Sequence, residues 1–361
     1  MTWMNWRMQL TAAAVAGSMA LATPAGAQTS PLPSAVTLTA YDTGSSGFNI
    51  AVAVGKALKD KYGTDVRVLP AGNDVARLGP VKAGRAQASA MGMGLYYSQE
   101  AVFEFASKEW GPQPLAMLLS TIDCNGTSIG IAKDIGVTAV KDLKGKRVGF
   151  VVGSPALNMN TLSLLAFGGL KKEDVKVVEF SSFGAMWKGM LNNEVDVAQG
   201  STISGQAKEV ETSPRGMLWP VMPFADKEGW ARMVKAGPHL RQHTATCGAA
   251  GLSPQTPMEM PTYPYPAFIV LRSVGDDLAY SITKAMVTTY DAYKDAVPGT
   301  AGLALDRQLR QWVIPIHAGA IKVYREAGLW TDADEAHNNG LLKRQQVLGD
   351  LAHAPDGRVV L

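Results

Sequence analysis

Apolar and polar positions alternate along this chain in two matching series. Residues 36–47, Val36-Thr-Leu-Thr-Ala-Tyr-Asp-Thr-Gly-Ser-Ser-Gly47, read as an apolar strand running into a small-residue loop, and apolar positions resume at Ile50, Ala53, Val54, Ala57 and Leu58 with helical spacing until Gly63 offers a stop. Residues 147–154, Arg147-Val-Gly-Phe-Val-Val-Gly-Ser154, repeat the strand and loop, and 157–165 repeat the apolar helix. Each copy then continues alike. A strand at 65–69 and a helix from about Asn73 precede Lys82-Ala-Gly-Arg-Ala-Gln-Ala-Ser-Ala-Met-Gly92; a strand at 175–180 and a helix from about Ser182 precede Leu191-Asn-Asn-Glu-Val-Asp-Val-Ala-Gln-Gly200. Strands alternating with helices predict two similar α/β lobes, each a sheet of largely parallel strands under helices. Ligands of such sheets sit outside the carboxyl ends of the strands, where both small-residue loops fall.

The rest of the chain joins the lobes. Residues 114–122 and 128–133 read as strands leaving the first lobe, 204–260 carry a weaker pattern, and 267–272 form an apolar strand that returns the chain. Helices are expected at 277–294, at 304–312 and from about 319 to Gly328. The expected division is a leader at 1–27, lobe one at 28–125, lobe two at 126–260, a return into lobe one at 261–330, and a surface-packed or partly disordered tail at 331–361.

Composition narrows the class. Of 361 residues 47% are hydrophobic and 18% charged, which suits two folded cores, and the net charge of +3 comes without a basic stripe, so nucleic acid is not an expected partner. Residues 1–27 carry one charge, Arg7, then an apolar run over 10–21 and Ala25-Gly-Ala27, the pattern of a cleaved export signal. That places the mature protein outside the cytoplasm, in the periplasm. Cys124 and Cys247 are the only cysteines, and in an oxidising compartment such a pair invites a disulfide.

Candidate binding residues cluster at the strand ends. Gly44, Ser45, Ser46, Gly47, Phe48 and Asn49 form one wall, where a helix N-terminus offers free amides to an anion. Ser154 and Asn158, with Asn160, form the other. Asn73 suits a helix cap as well as it suits ligand contact. Met91, Gly92 and Met93 stand at a strand end as an apolar floor, and Gln199 and Ser201 occupy the echoing place in lobe two. Tyr263 and Tyr265 stand between prolines at the second crossing, either lining the cleft or stiffening the hinge. His239 and His243 have metal-ligand spacing on a helix, but Pro238 and the lack of a third ligand argue against a metal, and no cofactor is expected.

Four segments fall in a familiar order: Thr43-Gly-Ser-Ser-Gly-Phe-Asn-Ile50, residues 73–91, Val140-Lys-Asp-Leu-Lys-Gly-Lys-Arg-Val148, and Ile314-Pro-Ile-His-Ala-Gly-Ala-Ile-Lys-Val-Tyr-Arg-Glu-Ala-Gly328. Over residues 36–330 the chain resembles the TAXI-type extracytoplasmic solute receptors of TRAP transporters. The resemblance implies a two-lobed clamshell, type II-like, that closes on a small organic carboxylate as a monomer and hands it to a TRAP-type membrane permease. The chain departs from the family at Ser154-Pro-Ala-Leu-Asn158 and at Met91-Gly-Met93, both less polar than usual. Two rival classes are an exported α/β hydrolase and a ligand-sensing receptor for a signalling partner. Gly44-Ser-Ser-Gly47 lacks the spacing of a Gly-x-Ser-x-Gly elbow, and neither HExxH nor a paired acidic motif is present.

Overall fold

The computed structural model describes residues 32–352; the leader at 1–27, residues 28–31 of the tether and the tail residues 353–361 lie outside the described residues. In the first lobe β1 (Ala35–Tyr41) leads into α1 (Ser46–Tyr62), β2 (Asp65–Ala71), α2 (Asp74–Lys82), β3 (Ala88–Met91), α3 (Gly94–Gln99) and β4 (Leu115–Ser120). The second lobe runs β5 (Thr127–Ala132), β6 (Arg147–Val151), α4 (Pro155–Phe167), β7 (Lys176–Phe180), α5 (Phe183–Leu191), β8 (Val197–Ser201), α6 (Gly205–Thr212), β9 (Met217–Leu218), α7 (Lys227–Ala236), β10 (Arg241–Ala245) and β11 (Met258–Thr262). The chain returns through β12 (Ala267–Leu271) and closes with α8 (Asp276–Thr288), α9 (Tyr290–Tyr293), α10 (Ala318–Glu326) and α11 (Asp332–Ala352).

The two sheets have one plan: β2-β1-β3-β12-β4 in lobe one and β7-β6-β8-β5-β9 in lobe two. β1 pairs parallel with β2 and β3, as β6 does with β7 and β8. The next strand in each sheet runs antiparallel, β12 against β3 and β5 against β8. In each sheet four of the five strands therefore run the same way, as expected, and one runs against them. The antiparallel strand in each is the one arriving from the other lobe, so its direction follows from the crossing. The molecule is a two-lobed α/β clamshell.

Local signals set the helices that matter to the cleft. Ser45 caps α1 by accepting from the Phe48 amide, and Gly63 ends it at φ +73°. Asn73 and Ser182 cap α2 and α5 in the same way. The expected helix at 277–294 is interrupted at Thr289, where Thr288 and Thr289 hydroxyls bond back to Lys284 and Ala285 carbonyls. No α-helix forms at 304–312, which holds only a short 3₁₀ turn, Leu305–Arg307. There Gln308 accepts from the Ser120 amide and Arg307 donates to the Ile122 carbonyl, so the segment lies along the first crossing.

The expected tail contains α11, an ordered 21-residue helix docked on lobe one. Its buried face is mostly polar, with Asp334, Asn338 and Gln345 beside Leu348. Each polar group has a partner: Asp334 takes Arg310 at 2.9 Å, Asn338 accepts from the Ile316 amide at 2.7 Å, and Gln345 donates to the Leu115 carbonyl at 2.7 Å. Cys124 and Cys247 form a disulfide with Cα atoms 5.4 Å apart, fastening the first crossing to lobe two. Among the described residues no helix is long and apolar enough to cross a membrane.

Candidate functional site: the interlobe cleft

One cavity opens where the strand ends of the two lobes face each other. Lobe one contributes Tyr41, Ser45, Ser46 and Arg77; lobe two contributes Leu157, Asn160, Phe183 and Gln199; Asn125, Tyr263 and Tyr265 come from the crossings. The enclosed space is small, about 40 Å³ open to the centres of water-sized molecules.

Against the cavity lies a buried charge cluster, of which Arg77 and Tyr41 line the cavity and Asp74 stands behind them. Arg77 is fully buried and donates through Nη2 to Asp74 Oδ1 at 2.6 Å and through Nη1 to the Ala90 carbonyl at 3.0 Å. Its guanidinium lies over the Tyr41 ring, 3.7 Å from the centroid. The Nε atom has no hydrogen-bond partner. A buried donor left unpaired costs about 1–3 kcal/mol, so a ligand oxygen accepting from it gains at least part of that. Burial works against the Arg77 charge, but the Asp74 carboxylate beside it keeps the guanidinium protonated.

Asp74 joins the lobes. Oδ1 also accepts from the Tyr41 hydroxyl at 2.8 Å, and Oδ2 accepts from the Ala156 amide at the start of α4 at 2.8 Å. Because Tyr41 gives its proton to Asp74, the Ser154 hydroxyl donates to Tyr41 across 2.6 Å. Burial, then the Asp74 carboxylate, raise the Tyr41 pKa well above the usual phenol value, so it stays a neutral donor. Further bonds span the cleft from Val75 N–H to the Gly153 carbonyl and from Gly205 N–H to the Gly44 carbonyl. The clamshell is closed.

Lobe two presents neutral polar groups. Gln199 donates to Thr127 Oγ1 at 2.8 Å, and Asn125 donates to Ser201 Oγ at 3.2 Å. Burial lowers the His239 pKa to about 4, so its ring is neutral at neutral pH and Nε2–H donates to Asn160 Oδ1 at 2.7 Å. Asn160 in turn donates to the Tyr263 hydroxyl at 3.4 Å. Tyr263 and Tyr265 both face the cavity, held there by Thr121, whose carbonyl accepts from the Tyr265 amide at 2.9 Å.

Of the residues expected to contact ligand, Ser45, Ser46, Gly92, Gln199, Ser201 and Tyr263 line the cavity. Gly44 turns the loop at φ +87° and gives its carbonyl to Asn49 Nδ2 and to Gly205, while Gly47 leaves space for Tyr265. Phe48 packs against the core. Met91 and Met93 are not a pocket floor; both are core residues, 0% and 3% exposed, because β3 is the central strand of its sheet. Asn73 caps α2, and Asn158 spends its amide on both backbone groups of Val151. Ser154 lies under Tyr41 as an interlobe bond. His239 and His243 do not share a helix face, since 241–245 is a strand, and among the described residues no group of three or more His, Cys, Asp or Glu could hold a metal.

Sequence reasoning passed over Tyr41, Arg77, Asn125, Thr127, Leu157, Phe183 and Thr262 as site residues. The one available signal was the i, i+3 pair of Asp74 and Arg77 on a helix that starts at a strand end. On an exposed helix such a pair is merely a surface ion pair, and only tertiary burial separates the two cases.

A model of the NMT1-like family matches residues 38–328. Among solved structures, the alkanesulfonate-binding protein SsuA from Xanthomonas axonopodis pv. citri, bound to MOPS, is 17% identical with a TM-score of 0.48, over 91% of this chain and 95% of that one. The aliphatic sulphonate-binding SsuA of Escherichia coli is 14% identical with a TM-score of 0.42, over 89% and 87%. An ancestral arginine-binding protein bound to arginine is 17% identical with a TM-score of 0.41, over 74% and 99%.

Proposed function

The chain belongs to the NMT1-like family, and on that footing we propose that it is an extracytoplasmic receptor that captures a small organic carboxylate by hinge closure. One observation carries the reading: a cavity walled by both lobes is lined by Ser45 and Ser46, at the start of α1, and by the buried Arg77, whose Nε has no hydrogen-bond partner. A helix N-terminus favours an anion through its unbonded amides and its dipole. A carboxylate set between them accepts from lobe one, while the rest of the solute meets Phe183, Leu157 and the amides of Asn125 and Gln199. A ligand touching both lobes stabilises the closed state, which is how it drives closure.

The export-signal pattern at 1–27 supports a periplasmic location. The TAXI-like segments at 43–50, 140–148 and 314–328 favour a TRAP-type permease as the recipient, with the receptor acting as a monomer and without turnover. The test is a thermal-shift screen of residues 28–361 against monocarboxylates, dicarboxylates, amino acids and aromatic acids. A carboxylate at a hundred times its dissociation constant should raise the melting temperature by about 5 °C. Ser46→Trp fills the cavity at α1 and should remove that rise while circular dichroism stays native. Unchanged affinity in that variant would put the binding site elsewhere, and conversion of the acid to a product would argue for the hydrolase.

A further inference from the structure

Three helices of lobe two point their N-termini at lobe one, and lobe one supplies the oxygen that meets each. α4 receives the Asp74 carboxylate at the Ala156 amide, 2.8 Å. α5 receives Asp42 Oδ2 at the Gly184 amide, 2.7 Å, and the Gly72 carbonyl at the Phe183 amide, 2.8 Å. α6 receives the Gly44 carbonyl at the Gly205 amide, 2.9 Å. Two of these acceptors are full negative charges. α1 differs. Its Ser45 cap accepts only from Phe48, and the earlier amides of Ser46 and Gly47 have no acceptor within the helix. Arg77, beside it, has spent Nη1 and Nη2 on Ala90 and Asp74 and keeps Nε unpaired.

Resting on the carboxylate reading above, we propose that Asp74 is a built-in anion of the closed cleft, seated where a second ligand carboxylate would otherwise meet α4. The receptor therefore selects solutes with one anionic group. A second carboxylate entering beside α4 finds its amide taken and a like charge in its place, with the Arg77 charge already matched by Asp74. At the far wall it meets Leu157, Phe183 and Tyr263, which suit an apolar end.

The test compares acids of equal length in which a terminal methyl replaces a carboxylate: propionate with malonate, butyrate with succinate, hexanoate with adipate, titrated calorimetrically into the mature chain. The pair that binds should favour the monocarboxylate at least tenfold. Asp74→Asn keeps the shape and removes the charge, and should reduce that preference at least tenfold, whereas Asp74→Glu should retain it. Equal or tighter dicarboxylate binding by the native chain, or an unchanged ratio in Asp74→Asn, overturns the proposal. If none of the six acids binds, the carboxylate reading fails on its own, and the role of Asp74 is read from small-angle scattering of the ligand-free chain. There Asp74→Asn, and Tyr41→Phe as the milder change, should expand the particle toward an open form. Unchanged scattering in both variants overturns the seating of Asp74 as an internal anion.

Discussion

A hydrogen atom in place of a side chain at Gly47 decides where Tyr265 sits. A Cβ built there would lie 2.7 Å from the Tyr265 hydroxyl and 3.2 Å from the ring carbon bearing it. Gly92 stands in the same relation to Tyr263, 3.0 Å from its hydroxyl. These glycines let two tyrosines of the second crossing close over the strand end and the start of α1. Gly47→Ala should thus weaken solute binding at least tenfold with a small change in melting temperature. Tyr265→Phe in that background removes the closer of the two contacts and should restore part of the affinity; calorimetric titration of the single and double variants checks it. At this scale the sequence is informative about small residues and poor about large ones. Ser45, Ser46 and Gly92 stand out because a strand-to-helix turn needs them. Tyr41 and Arg77 do not, because a strand-terminal tyrosine and a helical arginine look the same whether they face solvent or a cleft.

Elements were legible in proportion to how apolar their buried faces are. α1, β1 and β6 bury apolar residues at regular spacing, and their pattern alone announces them. α11 buries Asp334, Asn338 and Gln345, so its contact face has no hydrophobic period and reads as a polar tail. What anchors it is hydrogen bonding, and Asp334 is the strongest case. Burial raises its pKa, yet bonds from Arg310, Gln311 and Thr331 outweigh that and lower it to about 2. The folded value lies below the unfolded one of about 3.9, so the stabilisation is complete above that pH and is lost as pH falls through about 2. The shift corresponds to about 2.6 kcal/mol at neutral pH. Asp334→Ala should cost that or more in urea unfolding at pH 7 and little near pH 2. An equal cost at both pH values would mean that packing, not charge, holds the helix.

At the scale of the whole molecule the two lobes were legible as a repeat, while their closure was not. Closure depends on Asp42, Asp74 and Gly44 meeting helix starts more than 80 residues away in sequence, which no local pattern encodes. The joint also has a pH limit. Buried His239, with its pKa lowered to about 4, is neutral when folded and takes up a proton near pH 6.5 when unfolded. Stability is therefore unaffected by this group above about pH 6.5 and falls by about 3 kcal/mol as pH drops toward 4. Melting temperatures of the native chain and His239→Gln between pH 7 and 4 should diverge in that window, with the variant flatter. The disulfide contributes differently. It closes a span of 123 residues, and Cys124→Ser with Cys247→Ser should lower stability by about 2–4 kcal/mol in denaturant titrations.

That same bridge makes the two connections between the lobes mechanically unequal. On the first, the chain is clamped to lobe two at residue 124, so only 121–123 lie between the end of β4 and the clamp. On the second, 263–266 lie between β11 and β12 with two prolines among them. With so few rotatable positions on either strap, opening has one shallow arc available rather than a free swing, and reduction lengthens just one strap. The reduced chain should tilt as it opens, its two lobes losing the register that the bridged form keeps.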